Sequence, residues 1–416
     1  MQVCLILAAA WILAATTSAR AETNAERLQR LEDQLRRSQE TVQTLSSELQ
    51  ELKRRLEKSA EKQSEQSERL DELEDVATSM EERIGSRAVV KAFDAAELNL
   101  GGFLDMAATH VEGEDDGATN FNRIVFELLA GATLWEDWEL FVAQAFLRKS
   151  GIDFSDRTNP DFADLGSVAT DTVIAWGNYH YSDLLNVRAG RFITPHGIIN
   201  IEHFPFVLLD PEQPQFLRPF SGQTIFPNFT DGLQVHGQTF MANGDALSYS
   251  VYGGNFAGNS TDFNFGGRVA YALGDIGLTL GLNSTYGKRA DSFSDSDYVV
   301  YGGDILYDKG PILWKTEIFA TSENRGSDRF AFYTQPAWRI SDMWTLYYRF
   351  DYLDAGDDPI TLSEIGQSTE HVGGVVFDVN SNVRLRAKYT FKQFEDTATQ
   401  PEADAHILQL SATFNF

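Results

Sequence analysis

The chain has 416 residues, of which 43% are hydrophobic and 12% aromatic, and its formal net charge is −27. With 34 Lys and Arg against 61 Asp and Glu, it lacks the positive charge that neutralises nucleic-acid phosphates, which excludes nucleic-acid binding. After the first twenty residues, no apolar run approaches the roughly 18 residues of a membrane-spanning helix, which excludes a helical membrane protein.

Residues 1–21 have the pattern of a cleaved secretory signal peptide. An apolar stretch over residues 3–17 is followed by a small-x-small cleavage site that ends at Ala21, although no Lys or Arg precedes the stretch. Cys4, the single cysteine, lies in this segment. A mature chain that starts at Glu22 therefore has no thiol for a disulfide, a thiolate metal site or a cysteine nucleophile.

Residues 22–87 carry an unbroken heptad pattern from Leu28 to Ile84, and thirteen of its seventeen a and d positions are apolar. This pattern predicts a coiled coil on the order of 85 Å long, at about 1.5 Å per residue. A lone amphipathic helix is the alternative, but its narrow apolar stripe would stay exposed to water. We therefore expect self-association through this segment, followed by a linker over residues 88–96.

From Glu97 to Phe416 the apolar residues recur with a period of two. The last segment shows it: apolar side chains at even positions from Leu408 to Phe416 alternate with Gln, Ser, Thr and Asn. Such segments of about ten residues are typical of transmembrane β-strands. We count sixteen, beginning near Glu97, Phe121, Trp138, Val168, Leu184, Asp231, Ala246, Asp262, Ile276, Tyr298, Pro311, Arg329, Met343, Thr369, Asn382 and Asp404.

The connections between these segments alternate in length. Those after even-numbered strands are tight, whereas most of those after odd-numbered strands are longer, polar and acidic. This alternation predicts an all-β fold, a closed sixteen-stranded antiparallel transmembrane β-barrel, preceded by the α-helical coiled coil. Both ends of the barrel domain then lie on the short-turn side, which puts the coiled coil in the periplasm.

Over residues 97–416 the chain resembles the sixteen-stranded bacterial outer-membrane porins. It ends in an aromatic residue, Phe416, on an alternating strand, and its longest connection, about 194–230, follows the fifth strand, where porins carry the loop that narrows the lumen. The coiled coil is similar to that of dicarboxylate-type and phosphate-type porins. The resemblance implies a trimeric pore in the outer membrane for small hydrophilic solutes, including phosphate or small organic acids.

The long connection 194–230 is rich in Pro and Phe and too apolar to lie in solvent. Either it packs against the inner wall of the barrel, where it would narrow the pore, or it is hidden at a subunit interface; the position matches the inward porin loop. In the first case it presents polar side chains to the pore, which we take as candidate constriction residues: Glu202, His203, Asp210 and Arg218.

The polar register of the strands supplies the candidate pore-lining cations. The fifteenth strand alone carries four: Arg384, Arg386, Lys388 and Lys392. The same parity points further cations inward, namely Arg188, Arg268, Lys315, Arg329, Arg339 and Arg349. One interpretation is a basic ladder that attracts carboxylate or phosphate solutes. The other is a solvated wall whose arginines are neutralised by acids such as Asp304, Glu317 or Asp351.

No recognisable catalytic motif, metal-ligand spacing or cofactor signature occurs, so we expect neither an enzyme nor a metal protein. The sequence predicts a homotrimer in outer-membrane lipid and lipopolysaccharide, with the coil reaching toward peptidoglycan. Pro336, which weakens its strand, suggests a bulge or a covered edge. Two alternatives to an anion-favouring porin stay open: a general, cation-leaning porin, and a structural outer-membrane anchor whose coil spans toward peptidoglycan.

Overall fold

The computed structural model describes residues 96–416 except 115, 136, 164–168, 219–224, 257–262, 289–296, 325–327, 357–365 and 398–400. The predicted signal peptide 1–21, the coiled coil 22–87 and all but the last residue of the linker 88–96 lie outside the described residues. In the described part of the chain, no helix is long and apolar enough to cross a membrane.

Within the described residues, sixteen strands form one closed antiparallel barrel in which neighbours in sequence are neighbours in space. They are β1 (Ala96–Glu112), β2 (Gly117–Leu134), β3 (Trp138–Lys149), β4 (Ala169–Ser182), β5 (Leu185–Ile193), β6 (Phe229–Phe240), β7 (Ala246–Phe256), β8 (Phe263–Leu273), β9 (Leu278–Lys288), β10 (Asp297–Lys309), β11 (Ile312–Glu323), β12 (Phe330–Arg339), β13 (Trp344–Asp354), β14 (Gln367–Asn380), β15 (Val383–Phe394) and β16 (Ala403–Asn415). The predicted sixteen-stranded barrel is confirmed.

Closure of the barrel joins the first and last strands. β1 pairs with β2 along one edge and with β16 along the other, with Phe103 opposite Asn415 and Glu112 opposite His406. Gly102 and Phe416 extend this seam by exchanging two backbone hydrogen bonds of 3.1 Å. Because closure leaves no strand edge, the backbone groups are paired within the wall, as a hydrocarbon environment requires.

The two faces of the wall differ in polarity because side chains alternate along each strand. On β15, Leu385 and Tyr389 point outward and are 38% and 46% exposed, whereas Arg386 and Lys388 point inward and are each 5% exposed. The same alternation gives the outer wall its exposed Leu, Val, Ile, Phe, Tyr and Trp side chains. The outer wall therefore suits lipid, and the polar groups face the interior.

Short turns join the strands at the end of the barrel that carries both termini of the barrel domain. Gly277 after β8 and Gly310 after β10 have φ of 69° and 59°, a left-handed conformation that glycine adopts without strain. The loops at the opposite end are longer, and one of them contains a two-stranded ribbon of Ile152–Asp153 and Asp161–Phe162. The described residues also contain three short helical turns: α1 (Ile199–Glu202), and the 3₁₀ turns Gln215–Leu217 and Gly274–Ile276.

Two details differ from the sequence prediction. β2 begins at Gly117 rather than near Phe121, because its ladder with β1 continues beyond the apolar alternation until Gly117 pairs with Glu112. Pro336 causes no bulge: the register between β12 and β13 is the same on both sides of it, and only the pairing of residues 335–336 is interrupted. A missing N–H removes a hydrogen bond but does not require an extra residue.

We expect neighbouring positions on β7 to differ completely in access to water. Ser248 lines a cavity in the barrel interior, whereas Leu247 belongs to the outward register. In lipid vesicles, Ser248→Cys should react with a membrane-impermeant thiol reagent and Leu247→Cys should not, since the predicted mature chain has no other cysteine. Equal labelling of the two variants would contradict the assigned faces.

Candidate functional site

The connection between β5 and β6, residues 194–228 and called here the inner loop, contacts inward-facing side chains on the opposite side of the barrel. Phe216 and Phe226 pack against Phe319 of β11, with ring centroids 5.2 and 4.9 Å apart. Phe216 also stacks on Tyr333 of β12 at 6.2 Å. Side chains of this size contribute about 1.5–3 kcal/mol each when fully buried, which explains why so apolar a connection lies against the inner wall.

The first part of the inner loop is held by one buried carboxylate. Glu317 of β11 accepts a hydrogen bond of 2.8 Å from the backbone N–H of Ile199 and one of 2.6 Å from the Tyr333 hydroxyl. Gly197 has φ of 65°, and a Cβ there would collide with the Glu317 carboxylate. The glycine lets the backbone approach the wall closely enough for these bonds to form.

Two acids near the centre of the inner loop pair with cations of the wall. Asp210 lies 2.9 Å from the Arg349 guanidinium and 2.9 Å from the Lys388 ammonium. Glu212 lies 2.9 Å from Lys388 and 3.7 Å from Arg123, so the two acids share one lysine. Since Arg349 is fully buried and Lys388 is 5% exposed, these ion pairs offset a desolvation cost that neither cation could bear alone.

Farther along, the inner loop binds β13 to β15. The backbone N–H of Gln215 donates to Asp351 at 2.9 Å, and the Lys392 ammonium donates to the Gln215 side-chain oxygen at 2.5 Å. Arg218 makes a two-pronged contact with Glu370 at 2.8 and 2.5 Å, and Glu370 also pairs with Lys392 at 2.9 Å. The charged residues of the loop thereby pair with β13 to β15, although the loop itself connects β5 to β6.

Burial and charge set the protonation of two inner-loop groups. Burial would raise the pKa of Glu212, but the positive charges of Lys388, Arg123 and Arg218 outweigh it and hold the pKa well below its usual range. Burial, with Arg268 nearby, lowers the pKa of His196 to about 3. At neutral pH the loop therefore docks with an ionised carboxylate and a neutral imidazole, whose Nε2 lies 3.2 Å from the Tyr252 hydroxyl.

The four predicted cations of β15 all lie on the inward register, but none forms an open ladder. Arg384 makes a bidentate pair with Asp378 at 2.5 and 3.0 Å, and Arg386 donates to backbone carbonyls of the inner loop. Lys388 and Lys392 are 5% and 1% exposed beneath the same loop. Paired or covered in this way, these cations form no open row toward the lumen within the described residues, and the basic ladder stays a prediction.

The other predicted cations are also largely paired. Arg268 contacts Asp304 at 2.5 and 3.2 Å, Lys315 pairs with Glu202 of the inner loop, and Arg349 is fully buried. Arg339 contacts Asp308 at the short-turn rim at 2.6 Å, and Arg329 lies 3.9 Å from Glu323 near the long-loop end. Each of these five cations lies beside a carboxylate, as the interpretation of a neutralised wall predicts.

Each candidate constriction residue makes a contact in the barrel interior. Glu202, Asp210 and Arg218 are ion-paired to β11, to β13 and β15, and to β14 respectively. The His203 ring lies edge-on to Phe204 and Phe229, at 5.7 and 5.0 Å. These contacts hold the loop against the wall, and the charges of Glu202, Asp210 and Arg218 are neutralised by their wall partners.

Arg188 of β5 differs from most of the predicted cations: like Arg386, it has no carboxylate within ion-pairing distance among the described residues. Its guanidinium lies over the Trp176 ring, 4.2 Å from the centroid, and donates to the Gln234 side-chain oxygen at 3.3 Å. Its Nε has no hydrogen-bond partner, and the described residues give it no carboxylate. Its positive charge therefore has no direct ion-pair partner in the described part of the chain.

Arg188 lines a cavity of about 440 Å³ between the inner loop and the wall of β3 to β8. The lining is dominated by amide, hydroxyl, imidazole and charged groups: Glu139, Asn178, His180, Asp183, Asn186, Gln234, His236, Gln238, Ser248, Ser250 and Arg268, with Pro195 and Ile201 from the loop. A lining of this kind can hydrogen-bond a hydrated solute. In the described residues, no group of three or more His, Cys, Asp or Glu could hold a metal ion.

Sequence reasoning singled out Arg188 and Arg268 but missed the rest of this cavity. The signal was present: Asn178, Asn186 and Gln234 occupy the inward register of β4, β5 and β6. Charge patterning points to β15, where the cations are dense. It does not point to β4 to β7, where neutral polar groups prevail. Which wall the inner loop covers depends on contacts more than a hundred residues apart in sequence, such as that of Ile199 with Glu317.

Neither a family model nor a curated protein matches this sequence. Solved structures do match its fold. An anion-selective porin from Comamonas acidovorans is 12% identical, with a TM-score of 0.57, and the match covers 77% of this chain and 100% of the porin. The outer membrane channel DcaP of Acinetobacter baumannii is 12% identical, with a TM-score of 0.52 over 78% of this chain and 98% of DcaP.

A third structure is the trimer form of OmpT, an outer membrane protein of Vibrio cholerae. It is 14% identical, with a TM-score of 0.51 over 78% of this chain and 100% of OmpT. Identities this low speak for the fold alone. The chain thus has the sixteen-stranded barrel fold of outer-membrane porins and channels.

We expect Asp210→Asn to destabilise the protein far more than Asp308→Asn. The first change leaves buried Arg349 and Lys388 without their charged partner, and breaking a buried ion pair costs about 3–5 kcal/mol. The second breaks the Arg339 pair at the exposed rim, where such pairs contribute about 0–1 kcal/mol. Thermal unfolding in detergent measures both, and equal effects would contradict the docking role of Asp210.

Proposed function

We propose that this protein is an outer-membrane porin through which small hydrophilic solutes diffuse passively. One observation carries the proposal: the described residues form a closed barrel with an apolar outer wall and a polar interior cavity beside the inner loop. The function of such a pore depends on its diameter and on the electrostatic field of its lining residues, and it needs no catalytic group. Accordingly, no residue is assigned a catalytic role and no cofactor is required.

The proposed route for solutes runs along the wall of β3 to β8. The inner loop makes many of its contacts with β10 to β16 and also contacts β1, β2 and β7, so it fills much of the lumen and narrows the passage. The cavity lined by Arg188 and Gln234 lies between the loop and the wall of β3 to β8. Displacement of the loop would widen the passage. The buried ion pairs of Asp210 and Glu212, which hold the loop in place, therefore help to set the largest solute that can pass.

We further propose that the pore favours small anions such as phosphate or organic acids. Arg188 supports this because its charge has no ion-pair partner among the described residues and is partly shielded from water, where electrostatic attraction is less screened. Glu139 faces the same cavity but is exposed, so its repulsion is weaker. The named anion selectivity of the Comamonas porin agrees with the proposal.

Reversal potentials in a potassium chloride gradient test this selectivity in planar bilayers. The wild-type pore should favour chloride, and Arg188→Ala should shift the reversal potential toward cations. A paired control is Arg384→Ala with Arg386→Ala, which removes more charge but from beneath the inner loop, and its shift should be smaller. A wild-type pore selective for potassium would contradict the anion preference and support the cation-leaning porin. A protein without conductance would support the structural anchor instead.

We also propose that the protein is a homotrimer seated in lipid and lipopolysaccharide. The predicted coiled coil of residues 22–87 would extend into the periplasm and toward peptidoglycan, and its a and d seam would be buried against identical partners. The trimer form of OmpT supports this assembly for the fold. Chemical cross-linking should capture trimers of the full mature chain; monomers alone, both with and without residues 22–87, would contradict it.

A further inference from the structure

Two opposite charges face the cavity of β3 to β8 without a charged partner among the described residues. The backbone register sets Glu139 of β3 opposite Asn178 of β4, and Asn178 opposite Arg188 of β5. A carboxylate and a guanidinium therefore stand on one row of the wall with a neutral amide between them. On β8, by contrast, Arg268 meets the Asp304 carboxylate directly at 2.5 Å.

Asn178 is fixed as the spacer in this row. Its amide nitrogen donates to Glu139 at 3.3 Å, and its amide oxygen lies 2.9 Å from Nε2 of His236. Because the amide oxygen can only accept, the imidazole donates from Nε2. With both ends of the amide engaged and Asn178 only 3% exposed, the spacer holds Glu139 apart from Arg188.

Arg188 is oriented to receive a carboxylate. The Trp176 ring supports one face of the guanidinium, and Gln234 holds one terminal nitrogen at 3.3 Å. Its Nε is buried and has no hydrogen-bond partner, so a ligand would be bound by the terminal nitrogens. A planar guanidinium held in this way can present parallel N–H donors, which match the two oxygens of a carboxylate.

The spacing of the two charges suits a short ligand. Glu139 and Arg188 stand two strands apart, so their backbones are about 10 Å from each other at roughly 4.8 Å per strand. Both side chains are long and face the same cavity of about 440 Å³. Within the described residues the two charged ends form no direct ion pair, so both are available to a small molecule that carries an ammonium and a carboxylate a few bonds apart.

We propose that this row is a two-point site for small zwitterions of the amino-acid or short-peptide class, with the carboxylate at Arg188 and the ammonium at Glu139. The inference rests on the proposed porin function and names a solute class for the same cavity. A simple anion is attracted by Arg188 but meets the weaker repulsion of exposed Glu139, and a simple cation meets the stronger repulsion of Arg188. A zwitterion is attracted by both, weakly enough to leave again, as passage through a pore requires.

Swelling of vesicles that contain the purified protein tests the site with three solutes of similar size: alanine as zwitterion, lactate as anion and lactamide as neutral reference. Wild-type protein should admit alanine about two- to fivefold faster than lactamide, the range expected from one partly exposed ion pair. Glu139→Gln should bring that ratio close to one and raise the entry of lactate. Arg188→Gln should also remove the alanine advantage and should slow lactate.

Asp308→Asn is the matched control, since it removes a carboxylate at the short-turn rim outside the cavity lining and should leave the alanine ratio unchanged. Glu139 is exposed, so its variant should fold even if the Arg188 variant does not. An alanine ratio of one in the wild type, or a ratio unaffected by Glu139→Gln, overturns the zwitterion site while the porin stands. Vesicles that admit none of the three solutes overturn the porin proposal itself.

Discussion

Closure of the backbone hydrogen-bond ladder is the constraint on which the rest of the molecule depends. In a hydrocarbon environment an unpaired N–H or C=O costs several kcal/mol, so a sheet in a membrane must close on itself. Here the seam between β1 and β16 does this, with Gly102 and Phe416 adding the last two backbone bonds. In the closed wall, side chains alternate between the two faces, so the even-numbered residues of β15 point into the interior.

An interior that collects so many charges must then neutralise them. The inner loop performs much of this neutralisation: Asp210 and Glu212 meet Arg349 and Lys388, and Arg218 meets Glu370. Its apolar residues meanwhile fill the space against β10 to β13. Desolvation makes these contacts interdependent, because removing any one partner leaves a buried charge that water cannot reach. Loop position and wall charge are thus one structural unit.

This coupling affects which charges could contribute to the proposed selectivity. The strands with the most cations are those that the inner loop covers, and most of these cations form ion pairs or hydrogen bonds that hold the loop. The wall of β3 to β8 has fewer charges, yet Arg188 and Glu139 there have no ion-pair partner among the described residues and reach the cavity. In the proposed pore, a solute meets the field of these two groups, which outweighs that of a larger number of buried, neutralised pairs.

The sequence by itself determined the barrel. A period of two over residues 97–416 with alternating turn lengths gave the strand number, and parity gave the inward register of Arg384 and Arg188 alike, because both are properties of neighbours along the chain. Which wall the inner loop covers was decided only in three dimensions, since it depends on pairs such as Lys388 with Asp210, which lie 178 residues apart. For that reason parity could not distinguish a buried, neutralised cation on β15 from Arg188 on β5, which has no direct ion-pair partner in the described part of the chain. The convergence of Glu139, Asn178 and Arg188 likewise required the strand pairing, because register brings together residues that no local spacing relates.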